Sequence, residues 1–294
     1  MFESVREKQQ PLIRKIKVTA AKLPLVRGLC KEFQGDVIIT ARDMARGKDM
    51  LNKLNKEGLE PVLHDLDNTD DASLQKFHNF LQKDYGGLDL LVNNAAIVSR
   101  NAAFLSFSEQ VKFAMAKNFW GTSNICKVLF PLLRPHARVV NMLSGEELGA
   151  EWTWSQALRE RFLDPELSLA KIEQLMKEFV ESAKAGNYKE KGWPDHPYGV
   201  TKIGVTLMGL VQQRELNADK RPDIVVNSGC LDIQAVDIDK DTKTSDEVNN
   251  NNSSKITKPR KNLADTMLYL ALLPPNTSSP KGEYVSGRKI QKIF

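Results

Sequence analysis

Cysteine is scarce in this 294-residue chain: Cys30, Cys126 and Cys230 stand far apart and without C-x-x-C spacing. That excludes a disulfide framework and a zinc ribbon, no metal is expected, and the expected compartment is reducing. Long apolar runs are missing too. No stretch of about 18 apolar residues is available to span a bilayer, and the charged residues 1–10 lack the apolar centre of a signal peptide. No membrane partner is expected, and the expected location is cytoplasmic. Aromatic residues are absent around Lys255, Lys258, Arg260 and Lys261, the one basic cluster in a formal net charge of +5. A basic segment without stacking platforms reads as a solvated loop, so nucleic acid is not an expected partner. The positive balance favours an anionic ligand instead.

What remains is ordinary for a globular domain: 41% apolar and 27% charged residues, in a length near the upper limit for one core. A single domain spanning 1–294 is expected, with 1–11 as an N-terminal extension. Short β-branched runs alternate with helical patterns: Asp36-Val37-Ile38-Ile39-Thr40, Leu88-Asp89-Leu90-Leu91-Val92, Ala137-Arg138-Val139-Val140-Asn141 and Ile224-Val225-Val226-Asn227. Runs of this kind are strands buried on both faces, joined by crossover helices. The predicted fold is therefore α/β, a doubly wound parallel sheet of Rossmann type in three αβα layers. One helix is predicted over 73–85, where Leu74, Phe77, Phe80 and Leu81 share a face ahead of Gly86-Gly87. Two segments break the rhythm. Leu158, Phe162, Leu167, Ile172, Leu175, Met176 and Phe179 predict a helical insertion over 150–193, packed on the sheet edge. The polar stretch 237–262, with Asn249 to Asn252, predicts a flexible surface loop.

Tyr198-Gly199-Val200-Thr201-Lys202 sets a phenol and an ammonium one helical turn apart on one face. Alone, that spacing also describes a surface pair. An ordered set surrounds it: Asn93-Asn94-Ala95-Ala96 after an apolar strand, Asn118 in the helix Asn118-Phe119-Trp120-Gly121-Thr122, and Ser144 just past the Val139-Val140-Asn141 strand. At the carboxyl ends of parallel strands such groups converge on one crevice.

On these residues the chain resembles the short-chain dehydrogenase/reductase family, over 18–285. Thr40-Ala41-Arg42-Asp43, Tyr85-Gly86-Gly87-Leu88-Asp89, Gly192-Trp193-Pro194 and Tyr269-Leu270-Ala271-Leu272-Leu273-Pro274-Pro275 are similar to its monomeric NADPH-dependent carbonyl reductases. The resemblance implies reduction of a small-molecule ketone or aldehyde, with NADPH as cofactor. Tyr198 would protonate the developing alkoxide, and Lys202 would favour its phenolate and hold the nicotinamide ribose. Ser144 would bond the substrate oxygen, and Asn118 would hold a relay water. Arg42 would meet the adenosine 2′-phosphate, Asp67 would lie near the adenine, and Asn94 would line the cofactor cleft. The segment before Tyr198 is similar to one that covers the family's oligomerisation helices, which implies a monomer.

The chain departs from the family pattern where the pyrophosphate would sit. Val18-Thr19-Ala20-Ala21-Lys22-Leu23-Pro24 replaces a longer glycine-rich turn, and Gly28 falls inside the following helix pattern. Ala96 stands where glycine is usual, and Cys230-Leu231-Asp232-Ile233 lacks a Pro-Gly pair. Arg14, Lys15 and Lys17 crowd a strand expected to be central, where an unpaired charge is costly. Three readings stay open: a working reductase in which Lys22 helps grip the pyrophosphate, a catalytically impaired fold kept as a binding or interaction module, and a product of gene-model or splicing error.

Overall fold

In the computed structural model residues 14–19, 23–94, 104–144, 154–231 and 264–293 are described. In chain order the first half comprises β1 (Arg14–Thr19), α1 (Leu23–Glu32), β2 (Gly35–Ala41), α2 (Met44–Asn55), β3 (Val62–Asp65), α3 (Asp71–Tyr85), β4 (Leu88–Asn93) and α4 (Phe107–Ala114). A π-helical turn (Met115–Trp120) leads into α5 (Gly121–Leu129), and a 3-10 turn (Phe130–Leu132) into β5 (Leu133–Ser144). Then come α6 (Gln156–Phe162), α7 (Leu169–Ala185), α8 (Pro197–Leu216), β6 (Val225–Leu231), α9 (Asp265–Ala271), β7 (Tyr284–Ser286) and β8 (Lys289–Gln291).

Period-two alternation sorts the apolar strand residues to two faces. Val37, Ile39, Leu90, Val92, Val140 and Met142 pack with α1, α2 and α9 on one side. Ile38, Leu91, Val139 and Val226 pack with α3 and α5 on the other. Both sets are buried, so helices must cover both faces, giving the expected three layers. The sheet order is β3-β2-β1-β4-β5-β6-β7-β8, parallel except for the last pair. From β1 the chain builds outward through β2 and β3, then returns to lay β4 on the other side of β1. The crevice of a doubly wound sheet opens at that reversal, beyond the carboxyl ends of β1 and β4.

The helix expected over 73–85 begins earlier, because the Asp70 side chain accepts from the Ala72 amide and caps it. It stops where foreseen, at Gly86 in the left-handed region with φ 66°. Gly28 is a packing glycine: a Cβ there would come 2.5 Å from the Leu268 side chain of α9. The insertion holds two helices, α6 and α7, and α7 does not lie on the sheet edge. α7 packs on α4 and α8, where Leu175, Met176 and Phe179 meet Val111, Val200 and Ile203. The physical reason is α8 itself, whose residues from Gly199 to Gly209 are all buried. A helix buried all round needs cover on both faces, and α7 supplies the outer one. The 1–11 extension, the 237–262 loop and residues 150–153 lie outside the described residues. Among the described residues no helix is long and apolar enough to cross a membrane.

Candidate active site

The site starts at the first turn of α8. His196 caps it, its Nδ1 accepting the Gly199 amide at 2.9 Å, and Pro197 fills the first helical position, where no N–H is required. Burial pushes the His196 pKa down, against weaker raising effects of its own backbone and of Asp195. With that turn fixed, Tyr198 is half-buried and Lys202 follows one turn later with 2% of its surface exposed. The Lys202 ammonium donates to the Met142 carbonyl of β5 at 3.0 Å and lies 5.3 Å from the centre of the Tyr198 ring. At that distance the ring face attracts the cation, so phenol and ammonium share one environment.

Thr201 joins this pair to the neighbouring helix. Its hydroxyl donates to the Tyr198 carbonyl at 2.5 Å and accepts from the Asn118 amide at 3.4 Å. Asn118 is fully buried, and it does not sit in a regular helix as its sequence context suggested. It lies in the π-helical turn, where the Gly121 amide bonds the Ala116 carbonyl five residues back. The Asn118 carbonyl accepts from the Thr122 hydroxyl at 2.7 Å.

Ser144 is the last residue of β5, in register with Leu231 of β6, and so belongs to the strand instead of following it. Its side chain lies outside what is described. Asn94 directly follows β4 and is 4% exposed. Beneath it, the Asn93 amide donates to the Asn141 side chain at 2.9 Å, tying β4 to β5. Gly209 of α8 leaves room for that pair, since a Cβ there would come 2.7 Å from the Asn141 amide nitrogen.

At the other end of the crevice, Arg42 is exposed just past β2, and Asp67 follows β3. The Asp67 carboxylate accepts from the Thr69 amide at 2.9 Å and the Thr69 hydroxyl at 2.7 Å. Burial raises its pKa, but those bonds and the charges of Lys117 and Arg42 outweigh it and hold the carboxyl below its ordinary value. Lys22 lies outside the described residues. Two residues on, Pro24 occupies the first turn of α1 and deprives that helix end of one N–H. Thus Tyr198, Lys202 and Asn118 come together beside the β5 terminus, whereas Arg42 and Asp67 stand apart from them, just past β2 and β3.

A family model described as enoyl-(acyl carrier protein) reductase matches residues 28–155. Carbonyl reductase (NADPH) 1 of Pongo abelii is 38% identical over 271 residues, covering 92% of this chain and 93% of the relative. Carbonyl reductase (NADPH) 3 of Homo sapiens matches with the same identity and coverage. The chain belongs to the short-chain dehydrogenase/reductase family. Menthone neomenthol reductase of Mentha piperita superposes with a TM-score of 0.72 at 22% identity, over 93% of this chain and 98% of that one. Salutaridine reductase of Papaver somniferum gives 0.65 at 21% identity, over 74% and 85%. These two likenesses establish the fold.

Several residues of this family member were not singled out from sequence. Thr201 and Asn93 lie inside the quoted motifs, and a side-chain oxygen three residues after Tyr198 on a helix was a readable signal. Asn68 and Lys117 left no such signal, being 49 residues apart.

Proposed function

We propose that this chain is an NADPH-dependent reductase of small ketones and aldehydes in which Tyr198 donates the proton. The observation that carries the reading is the buried Lys202 ammonium beside the Tyr198 ring at the end of β5. The Met142 carbonyl holds the buried cation in place, and its field acts on a phenol one turn away. The identity to curated carbonyl reductases supports the same chemistry.

The donor set fits a phosphorylated dinucleotide at its two ends. Arg42, exposed past β2, offers a guanidinium to an adenosine 2′-phosphate, and the ionised Asp67 beside it suits the adenine side. Asn94 would line the cleft between, and Lys202 and Tyr198 would hold the nicotinamide ribose. NADPH supplies the hydride when bound. Tyr198 gives its phenolic proton to the carbonyl oxygen, Ser144 bonds that oxygen, and Lys202 stabilises the phenolate left behind. Asn118, linked to Tyr198 through Thr201, holds the water that returns the proton.

A second reading, a fold kept for binding without turnover, is favoured by Pro24. A helix N-terminus that lacks one amide offers a weaker pyrophosphate cradle. We also infer a monomer, because α7 occupies the outer faces of α4 and α8, and a cytoplasmic location, from three cysteines set far apart. Titration calorimetry with NADPH separates the two functional readings before any substrate is chosen. Saturable binding and a raised Tm are expected, from a sample that sediments as a monomer. Absence of heat and of any Tm shift at millimolar NADPH would leave only the binding-module reading.

A further inference from the structure

The loop after β3 reaches across to the π-helical turn. The Asn68 amide donates to the Lys117 carbonyl at 3.0 Å. Lys117 answers in the opposite direction: its ammonium donates to the Thr69 hydroxyl at 2.8 Å and lies 3.7 Å from the Asp67 carboxylate. Gly121 makes this approach possible, because a Cβ at that position would overlap the Asn68 amide.

A π turn replaces the usual i+4 ladder with i+5 bonds, and side chains that bond its carbonyls add to its stability. Two successive carbonyls are held here by side chains, that of Lys117 by Asn68 and that of Asn118 by Thr122. The Thr122 bond is local and travels with the helix. The Asn68 bond comes from another element, so of these two carbonyl bonds it is the one that ties the turn to the loop after β3.

We propose that Asn68, admitted by Gly121, is a positioning residue: it fixes the π turn that presents Asn118 and locks that turn to the loop carrying Asp67. The cofactor's adenine side and the proton path then sit on one rigid unit. The kinetic consequence rests on the function proposed above, whereas the structural linkage requires no activity.

Amide hydrogen exchange on the full chain tests the linkage. Asn68→Leu keeps similar volume without a donor, and should speed exchange several-fold across 115–122 while leaving 71–85 and 197–216 unchanged. Gly121→Ala attacks the same contact from the other side and should do the same, so either variant suffices if one fails to fold. The double variant Asn68→Ala/Gly121→Ala should be no worse than Asn68→Ala, since the amide that meets the new Cβ is gone. In turnover, Asn68→Leu should lower kcat about 10- to 100-fold, as misplaced groups do. KM for NADPH should stay within about threefold, and the pH profile of kcat should shift. Unchanged exchange in 115–122 overturns the inference, and so does faster exchange with kcat and its pH profile intact. Wild-type turnover that survives Tyr198→Phe would instead sink the proposed function, and the exchange comparison would decide the linkage alone.

Discussion

The Lys202 ammonium is anchored to the Met142 carbonyl, two residues before the end of β5, at 3.0 Å. That bond sets the height of the cation along α8 and holds it 5.3 Å from the Tyr198 ring. A buried side chain thus ties helix to strand at the end of the sheet where the crevice opens.

Replacing Tyr198 with Phe removes one oxygen from a half-buried ring and little packing. Carbonyl reduction should fall about 10²- to 10⁴-fold, the usual worth of a positioned acid. The Tm should hold, because the ring still faces Lys202. Stopped or steady-state assays of NADPH oxidation read the first effect and calorimetry the second. Activity retained in the variant places the proton donor elsewhere.

Arg42 is exposed and free to turn toward a phosphate. Its charge also helps hold Asp67 ionised. Arg42→Ala should weaken NADPH by about 10- to 100-fold, the value of charge-assisted bonds near 1.5–3 kcal/mol, with NADH little affected. Paired titrations with the two cofactors check this. Equal losses for both would mean that Arg42 does not contact the 2′-phosphate.

His196 caps α8 only while its Nδ1 is unprotonated. Burial lowers its pKa in the folded chain below the ordinary histidine value of about 6.5. A depressed folded pKa means the contribution is complete above about pH 6.5 and is lost as pH falls below it, because the unfolded chain takes up the proton first. Wild-type Tm should therefore drop more steeply than that of His196→Asn between neutral and mildly acidic pH. Asparagine caps without titrating in this range. Parallel melting curves for the two proteins would exclude a titrating cap.

Much of the architecture was legible because its signals are local. Val37 to Ile39 and Leu90 to Val92 alternate every second residue, and α3 shows its apolar face and its terminal glycine within one window. β3, β7 and β8 escaped notice, since three or four residues carry no period. The π turn escaped for another reason. Its residues have ordinary helix composition, and the bonds made to it, such as that of Asn68, come from far away in the chain.

The sequence by itself determined that Tyr198 and Lys202 share a helix face, because a four-residue spacing on α8 leaves no other arrangement. It also determined a buried parallel sheet, through β-branched runs that no solvent-facing strand would carry. Tertiary structure alone decided which carbonyl anchors Lys202, that Thr201 bridges Asn118 to Tyr198, and that α7 rests on α8 and not on the sheet edge. Such contacts join residues tens of positions apart. Their geometry follows from how the layers pack, and a one-dimensional pattern does not record it.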